Sequence, residues 1–285
     1  MPNKRKVVDE NSVRLIIKRL PRILSSRLRL LPDFIIIGAQ RAGTTSLYNY
    51  IINHPWASPA FIKEVHYFDN NFHHGTDWYR AFFPTILYKQ YKRIITHNQF
   101  VTGESSPFYL CHPHAARRIK TLLPEIKLIV ILRNPVDRAY SHYHHHVQLG
   151  IESLSFEEAI SQEPNRLTGE YEHMVADHDY YSYNYQAYSY LTRGIYADQL
   201  TSWFSFFDSS QLLILDFAGL QKTPQNIMGI VNSFLGLPSR ELREYPKFHE
   251  SSYLPMKEST RQQLNNYFMP HNHRLSQITG MEYNW

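Results

Sequence analysis

The sequence predicts an α/β fold, with a central parallel β-sheet flanked by helices on both faces. Three observations predict it. Short aliphatic runs alternate with stretches whose apolar residues recur at helical spacing. Those runs lack the in-and-out alternation of a half-solvated strand, so both of their faces must be covered. The first run also leads through a turn of small residues directly into a helix, the usual layout of a strand–turn–helix ligand site.

In chain order, Asp33–Ile37 reads as a buried strand stopped by Gly38. Thr44–Ile52 places Leu47, Tyr48, Ile51 and Ile52 on one helical face and ends before His54-Pro55. Phe100–Gly103 is a weaker strand pattern. His114–Leu123 reads as a helix closed by Pro124, and Lys127–Leu132 as the next strand. Asn134-Pro135 opens another helix, with Asn as cap and Pro in the first turn, where a missing N–H costs nothing. Ala187–Phe207 reads as one long helix with Gly194 as a soft point. Gln211–Phe217 reads as a strand, and Thr223–Leu235 as a helix ended by Gly236 and Pro238.

The 285 residues are 43% hydrophobic, enough for one sizeable core. The expected organisation is a basic leader at 1–31, loosely packed, followed by a single domain at 32–285. Cys111 is the single cysteine, which excludes an intramolecular disulfide and fits a reducing, cytoplasmic compartment. A net charge of +5 fits either a mildly basic soluble protein or one with an anionic ligand. No dense Lys/Arg stripe points to a nucleic-acid partner. The longest aliphatic runs are too short to span a bilayer. In the leader, Arg14, Lys18, Arg19, Arg22, Arg27 and Arg29 interrupt the leucines. That pattern fits a segment laying its Leu face on the domain, or a weak membrane-surface contact. Oligomeric state is open.

The most informative segment runs from Phe34 to Tyr48. The turn between strand and helix aims free N–H groups and the positive end of a helix dipole at one point, a site for phosphate. Gly38 and Gly43 permit the turn and close approach. Around them, Arg41 and Ala42 lie in the loop, and Thr44, Thr45 and Ser46 offer hydroxyls. Gly38 and Gly43 have the spacing of a nucleoside triphosphatase loop, but Thr44 stands where that loop requires lysine. The basic residue lies inside the turn instead, at Arg41.

This loop resembles the 5′-phosphosulfate loop of sulfotransferases that use 3′-phosphoadenosine 5′-phosphosulfate (PAPS). Arg133-Asn134-Pro135-Val136-Asp137-Arg138-Ala139-Tyr140-Ser141 is similar to the family's 3′-phosphate stretch. Lys63-Glu64-Val65-His66-Tyr67-Phe68, Gly103 to Tyr109, Phe268 to Leu275 and Gly280 to Trp285 resemble further segments of the heparan-sulfate-type branch and its bacterial relatives. The matches run in family order from about residue 33 to 285. The resemblance implies a P-loop-like, nucleotide-kinase-like sulfotransferase fold with PAPS as co-substrate, PAP as product and no metal. Arg41 to Ser46 would hold the 5′ end, and Arg133 and Ser141 the 3′-phosphate. Tyr196, in the Gly194-Ile195-Tyr196 segment, joins the expected nucleotide contacts. Glu64 is implied as acceptor base, Lys63 as its neighbour at the sulfonate, and His66 as the rival base.

Two departures stand out. Ser105 replaces a lysine common in relatives, and no Lys-Gly-Arg loop occurs between Phe248 and Arg261, which leaves Lys257, Arg261 and Tyr253 as candidates there. The implied reaction is in-line sulfuryl transfer to a hydroxyl or amine of a carbohydrate or a small secondary metabolite. A nucleotide-dependent kinase and a non-catalytic module for PAP or anionic glycans are the alternatives. His142 and His146, four apart on a helix, have zinc spacing, but no third ligand is evident, and histidines that are solvated or that stand behind the anionic site are the other reading. The tyrosine-rich stretch 178–190 is either an acceptor lid or core aromatic packing.

Overall fold

The computed structural model describes residues 19–96, 99–240, 242–246, 253–283 and 285. Five parallel strands form one sheet: β1 (Phe34–Gly38), β2 (Ala57–Pro59), β3 (Val101–Ser105), β4 (Lys127–Leu132) and β5 (Leu212–Asp216), in the order β2-β3-β1-β4-β5. Every residue of β1 and β3 is buried, as is β4 from Leu128 onward. Each fully buried Ile or Leu in these runs contributes about 1.5–3 kcal/mol, which is why they settle at the centre. The predicted α/β class is what the chain adopts.

The helices are α1 (Thr44–Ile52), α2 (Gly75–Arg80), α3 (Ile86–Thr96), α4 (Ala115–Leu122), α5 (Pro135–Gln148), α6 (Phe156–Leu167), α7 (Glu170–Ala176), α8 (Tyr183–Tyr188), α9 (Tyr196–Phe204), α10 (Phe217–Lys222), α11 (Pro224–Leu235) and α12 (Glu258–Thr279). Asn134 caps α5 as its sequence suggests: its side chain accepts from Val136 N at 2.9 Å and Asp137 N at 3.4 Å.

Several features differ from the sequence reading. The long helix expected over Ala187–Phe207 is broken into α8, a 3₁₀ turn at Thr192–Gly194, and α9. The buried Glu163 carboxylate accepts the N–H groups of Leu191 and Thr192 at 2.7 and 2.8 Å, so they need no carbonyl a turn earlier. Gly194 then passes so close to Phe268 that a Cβ would lie 2.8 Å from its ring. Strand β2 carries no β-branched residue and ends in proline, which an edge strand tolerates. Helix α12 contains Pro270, which hides it from a pattern search.

The described part of the leader packs through its arginines as well as through Leu30 and Leu31, which lie against the core. Arg19 stacks over Trp78 and Phe82, while Arg22 and Arg29 donate to the carbonyls of Ala81 and Phe83. Leu24 and Leu28 face solvent, at 90% and 65% exposure. Free carbonyls after α2 attract guanidinium donors more strongly than they attract leucine. Residues 12–18 of that stretch lie outside the described residues, as do the leader's first residues. No described helix is long and apolar enough to cross a membrane.

Candidate active site

Strand β1 lies between β3 and β4, so crossovers depart to both sides of its carboxyl end and leave a crevice there. A cleft of about 890 Å³ opens at this point. Ala39 N bonds Ile131 O of β4 at 2.8 Å, which fixes the start of the loop. The loop then turns through positive φ at Arg41 (67°) and Gly43 (85°). At Gly43 a Cβ would meet the Phe217 ring at 2.7 Å, so both backbone angle and space demand glycine. Thr44, Thr45 and Ser46 follow as the first turn of α1 and line the cleft, where a helix leaves N–H donors unmatched.

The second basic element reaches the same point. Arg133 leaves the end of β4 and donates to Arg41 O at 3.0 Å, with its guanidinium 5.0 Å above the Phe217 ring. Arg41 Nε in turn donates to Ser141 Oγ of α5 at 3.1 Å. Burial lowers the Arg41 pKa; Tyr253 opposes that, and the neighbouring positive charge of Arg133 reinforces it. Glu64 is the sole carboxylate among the described residues lining the cleft. Two guanidiniums converging beside a helix N-terminus therefore make a site suited to an anion with more than one charged end.

Tyr253 and Tyr245 line this end of the cleft, and Tyr253 stacks on His144 with ring centroids 4.2 Å apart. Arg261 is instead paired with Asp137 at 2.8 Å and Lys257 with Glu157 at 3.6 Å; neither lines the cleft. Ala42 is buried in the core, and its N–H is bonded to Ala39 O. Tyr196 is also buried, and its hydroxyl donates to Arg133 O at 2.8 Å, holding the arginine from behind. Ser105 is buried too.

Facing the loop is the Lys63–His66 segment. Lys63 Nζ donates to Thr45 Oγ1 and pairs with Glu64 Oε1, both at 2.7 Å. Glu64 Oε2 lies 3.4 Å from His66 Nε2, and His66 Nδ1 lies 2.7 Å from Asp69 Oδ2. Burial opposes charge on Glu64, but the His66 hydrogen bond and the Lys63 charge outweigh it and bring the carboxyl down to about 2. Burial likewise opposes charge on His66, yet the carboxylates of Asp69 and Glu64 push it up to about 10. The two carboxylates thus favour the charged form of His66, which makes it a partner for Glu64. Asp69, which completes this relay, was not singled out from the sequence.

The segment owes its shape to Glu104 of β3, which is wholly buried. Its carboxylate accepts from Tyr79 (2.7 Å), Tyr109 (3.0 Å), Ser106 (2.6 Å) and Val65 N (3.3 Å). Ser106 Oγ accepts from His66 N at 3.0 Å, and the Tyr109 hydroxyl from Tyr67 N at 2.7 Å. His66 is held at φ 52°, a left-handed backbone uncommon outside glycine.

Opposite the loop, Phe108, His145, His146, Tyr181, Tyr183 and Gln186 line the cleft. In the tyrosine-rich stretch Tyr185 and Tyr190 are core residues, while Tyr181 and Tyr183 are half exposed and line the cleft. His142 and His146 are not solvated; both are buried, with rings 4.4 Å apart. Burial lowers His146 to about 4. Among the described residues no group of three or more His, Cys, Asp or Glu is placed to hold a metal ion.

A family model described as the sulfotransferase domain matches residues 31–279. The chain belongs to the sulfotransferase family. The chain is 32% identical to the human bifunctional heparan sulfate N-deacetylase/N-sulfotransferase 3 over 87% of its length, and it spans 30% of that relative. Against the mouse heparan sulfate glucosamine 3-O-sulfotransferase 6 it is 27% identical, covering 96% of this chain and 79% of the relative. Its fold is similar to the crystal structure of a sulfotransferase from Alicyclobacillus acidocaldarius, with a TM-score of 0.68 and 27% identity, over 89% of this chain and 98% of that one.

Proposed function

We propose that this sulfotransferase transfers a sulfuryl group from PAPS to a hydroxyl or amine of a carbohydrate or small-molecule acceptor. The observation that carries the reading is the meeting of Arg41, Arg133 and Ser141 in one cleft, with Lys63 and Glu64 across the same loop. The residues fit the nucleotide: donors for its two phosphate ends come from separate elements, and Phe217, Tyr245 and Tyr253 offer aromatic faces in the same cleft. Bound there, PAPS would supply an activated sulfuryl group on a phosphate leaving group.

The protein's own part follows from placement. Arg41 and the N–H groups of α1 stabilise charge that grows on the leaving phosphate, in a site where they need little reorganisation. Lys63 bridges Thr45 of the loop and Glu64, so it can follow charge from the carboxylate toward the loop. As it does so, Glu64 loses a pairing that holds its basicity down. A weakly basic carboxylate suffices for this task, because the acceptor oxygen becomes acidic as its bond to sulfur forms. His66, held charged by Asp69, orients Glu64. Lacking the loop lysine, the site is poorly suited to triphosphate hydrolysis or kinase chemistry.

Glu64→Gln should lower turnover of labelled PAPS by about 10²- to 10⁴-fold, the usual weight of a general base. PAP binding should be unchanged. Full activity in this variant would remove Glu64 from the mechanism.

A further inference from the structure

The chain segment that supplies the acceptor side of the cleft carries a charge pattern opposite to that of the whole chain. Between Arg166 and Arg193 there are four carboxylates, Glu170, Glu172, Asp177 and Asp179, and no lysine or arginine, although the whole chain is +5. This stretch supplies the cleft wall at Tyr181, Tyr183 and Gln186.

Four lysine or arginine side chains line the cleft among the described residues, and each is committed elsewhere. Arg41 and Arg133 serve the loop and Ser141. Lys63 holds Glu64 and Thr45. Arg193 is 3% exposed; it donates to Gln40 Oε1 and to the carbonyls of Tyr185 and Gln186, and its guanidinium lies over Phe108. Among the described residues, a polyanion entering here would find every lining lysine and arginine already engaged.

The wall offers flat apolar faces and neutral hydrogen-bonding groups instead. Glu170 accepts from Tyr180, Ser182 and Asn184 at 3.0, 2.6 and 2.8 Å, and Ser182 caps α8 at Tyr185 N. These bonds fix the turn that presents Tyr181 and Tyr183, which are 52% and 50% exposed. The four lid carboxylates do not line the cleft, and Glu64 is already matched by Lys63 and His66, so a cationic acceptor also lacks a partner.

We propose that the acceptor is an uncharged, hydroxylated ring compound, in chemical class a neutral glycoside, whose ring face rests on Tyr181 and Tyr183. The proposal rests on the sulfuryl-transfer reading and narrows it away from polyanionic glycans of the heparan sulfate kind. The test compares turnover of labelled PAPS with a panel of neutral alkyl and aryl glycosides and with heparan sulfate oligosaccharides, using the full chain. Its folded donor site is first verified by a PAP-induced thermal shift. At least one neutral glycoside should exceed the oligosaccharides tenfold or more in kcat/KM. Tyr181→Ala and Tyr183→Ala should each raise its KM several-fold while leaving the PAP shift intact. Preference for the heparan oligosaccharides overturns the proposal, and so does the absence of turnover on every neutral glycoside when PAP still binds. Loss of the PAP shift itself would instead refute the donor reading beneath it.

Discussion

Glu104 shows how a residue remote from the reacting atoms shapes the site. Burial pushes its carboxyl up to about 7, while hydrogen bonds from Ser106, Tyr79, Tyr109 and Val65 N keep it from rising further. Because the folded value lies above the unfolded one, this group's contribution to stability is complete below about pH 4.5. It is lost as pH rises through about 7, and a shift of that size is worth roughly 3 kcal/mol. Glu104→Gln should therefore cost most near pH 4.5 and progressively less toward pH 8, read from urea midpoints of both proteins. A cost independent of pH would show that folding does not shift the Glu104 pKa, and one that rises with pH would show that the fold favours its charged form. None of this was legible in the sequence. Gly103 to Tyr109 matches a family segment, but nothing local reveals that its glutamate reaches Val65 and Tyr79. Arg41, Arg133, Ser141, Lys63 and Glu64, which the structure brings to one cleft, were singled out because the segments around them resemble short family motifs.

At the scale of elements, two helix starts build the phosphate-binding end. Helix α1 begins at Gly43 and α5 at Asn134, and each start positions one half of the Arg41–Ser141 contact. Gly43→Ala would force a Cβ against Phe217 at 2.7 Å and strain a backbone at φ 85°. The expected result is a lowered Tm together with loss of most PAP binding, measured by thermal shift and calorimetry. Binding at full strength would mean that the loop geometry is not needed. Both starts announce themselves through local chemistry, a glycine at a strand-to-helix turn and an Asn-Pro pair. The break between α8 and α9 does not, because it depends on Glu163, nearly thirty residues upstream. Edge strand β2 and the proline-bearing α12 were hidden for a similar reason: tertiary contacts hold them where local propensity is weak.

For the whole molecule, strand order decides where chemistry can occur. With β1 flanked by β3 and β4, the loop after β1 and Arg133 after β4 emerge side by side, while the segment from Lys63 to His66 is tied to the far side by Glu104 and Ser106. The class of fold was legible from four buried runs; their order in the sheet was not, since pairing joins residues far apart in sequence. The central claim is that both basic elements grip one nucleotide bearing phosphates at its two ends. A thermal-shift comparison of PAP, ADP and ATP, repeated with Arg41→Ala and Arg133→Ala, tests it most directly. PAP should stabilise the protein well beyond ADP or ATP, and each substitution should abolish most of that shift. Equal shifts for PAP and ATP, or a PAP shift that survives both substitutions, would contradict the account.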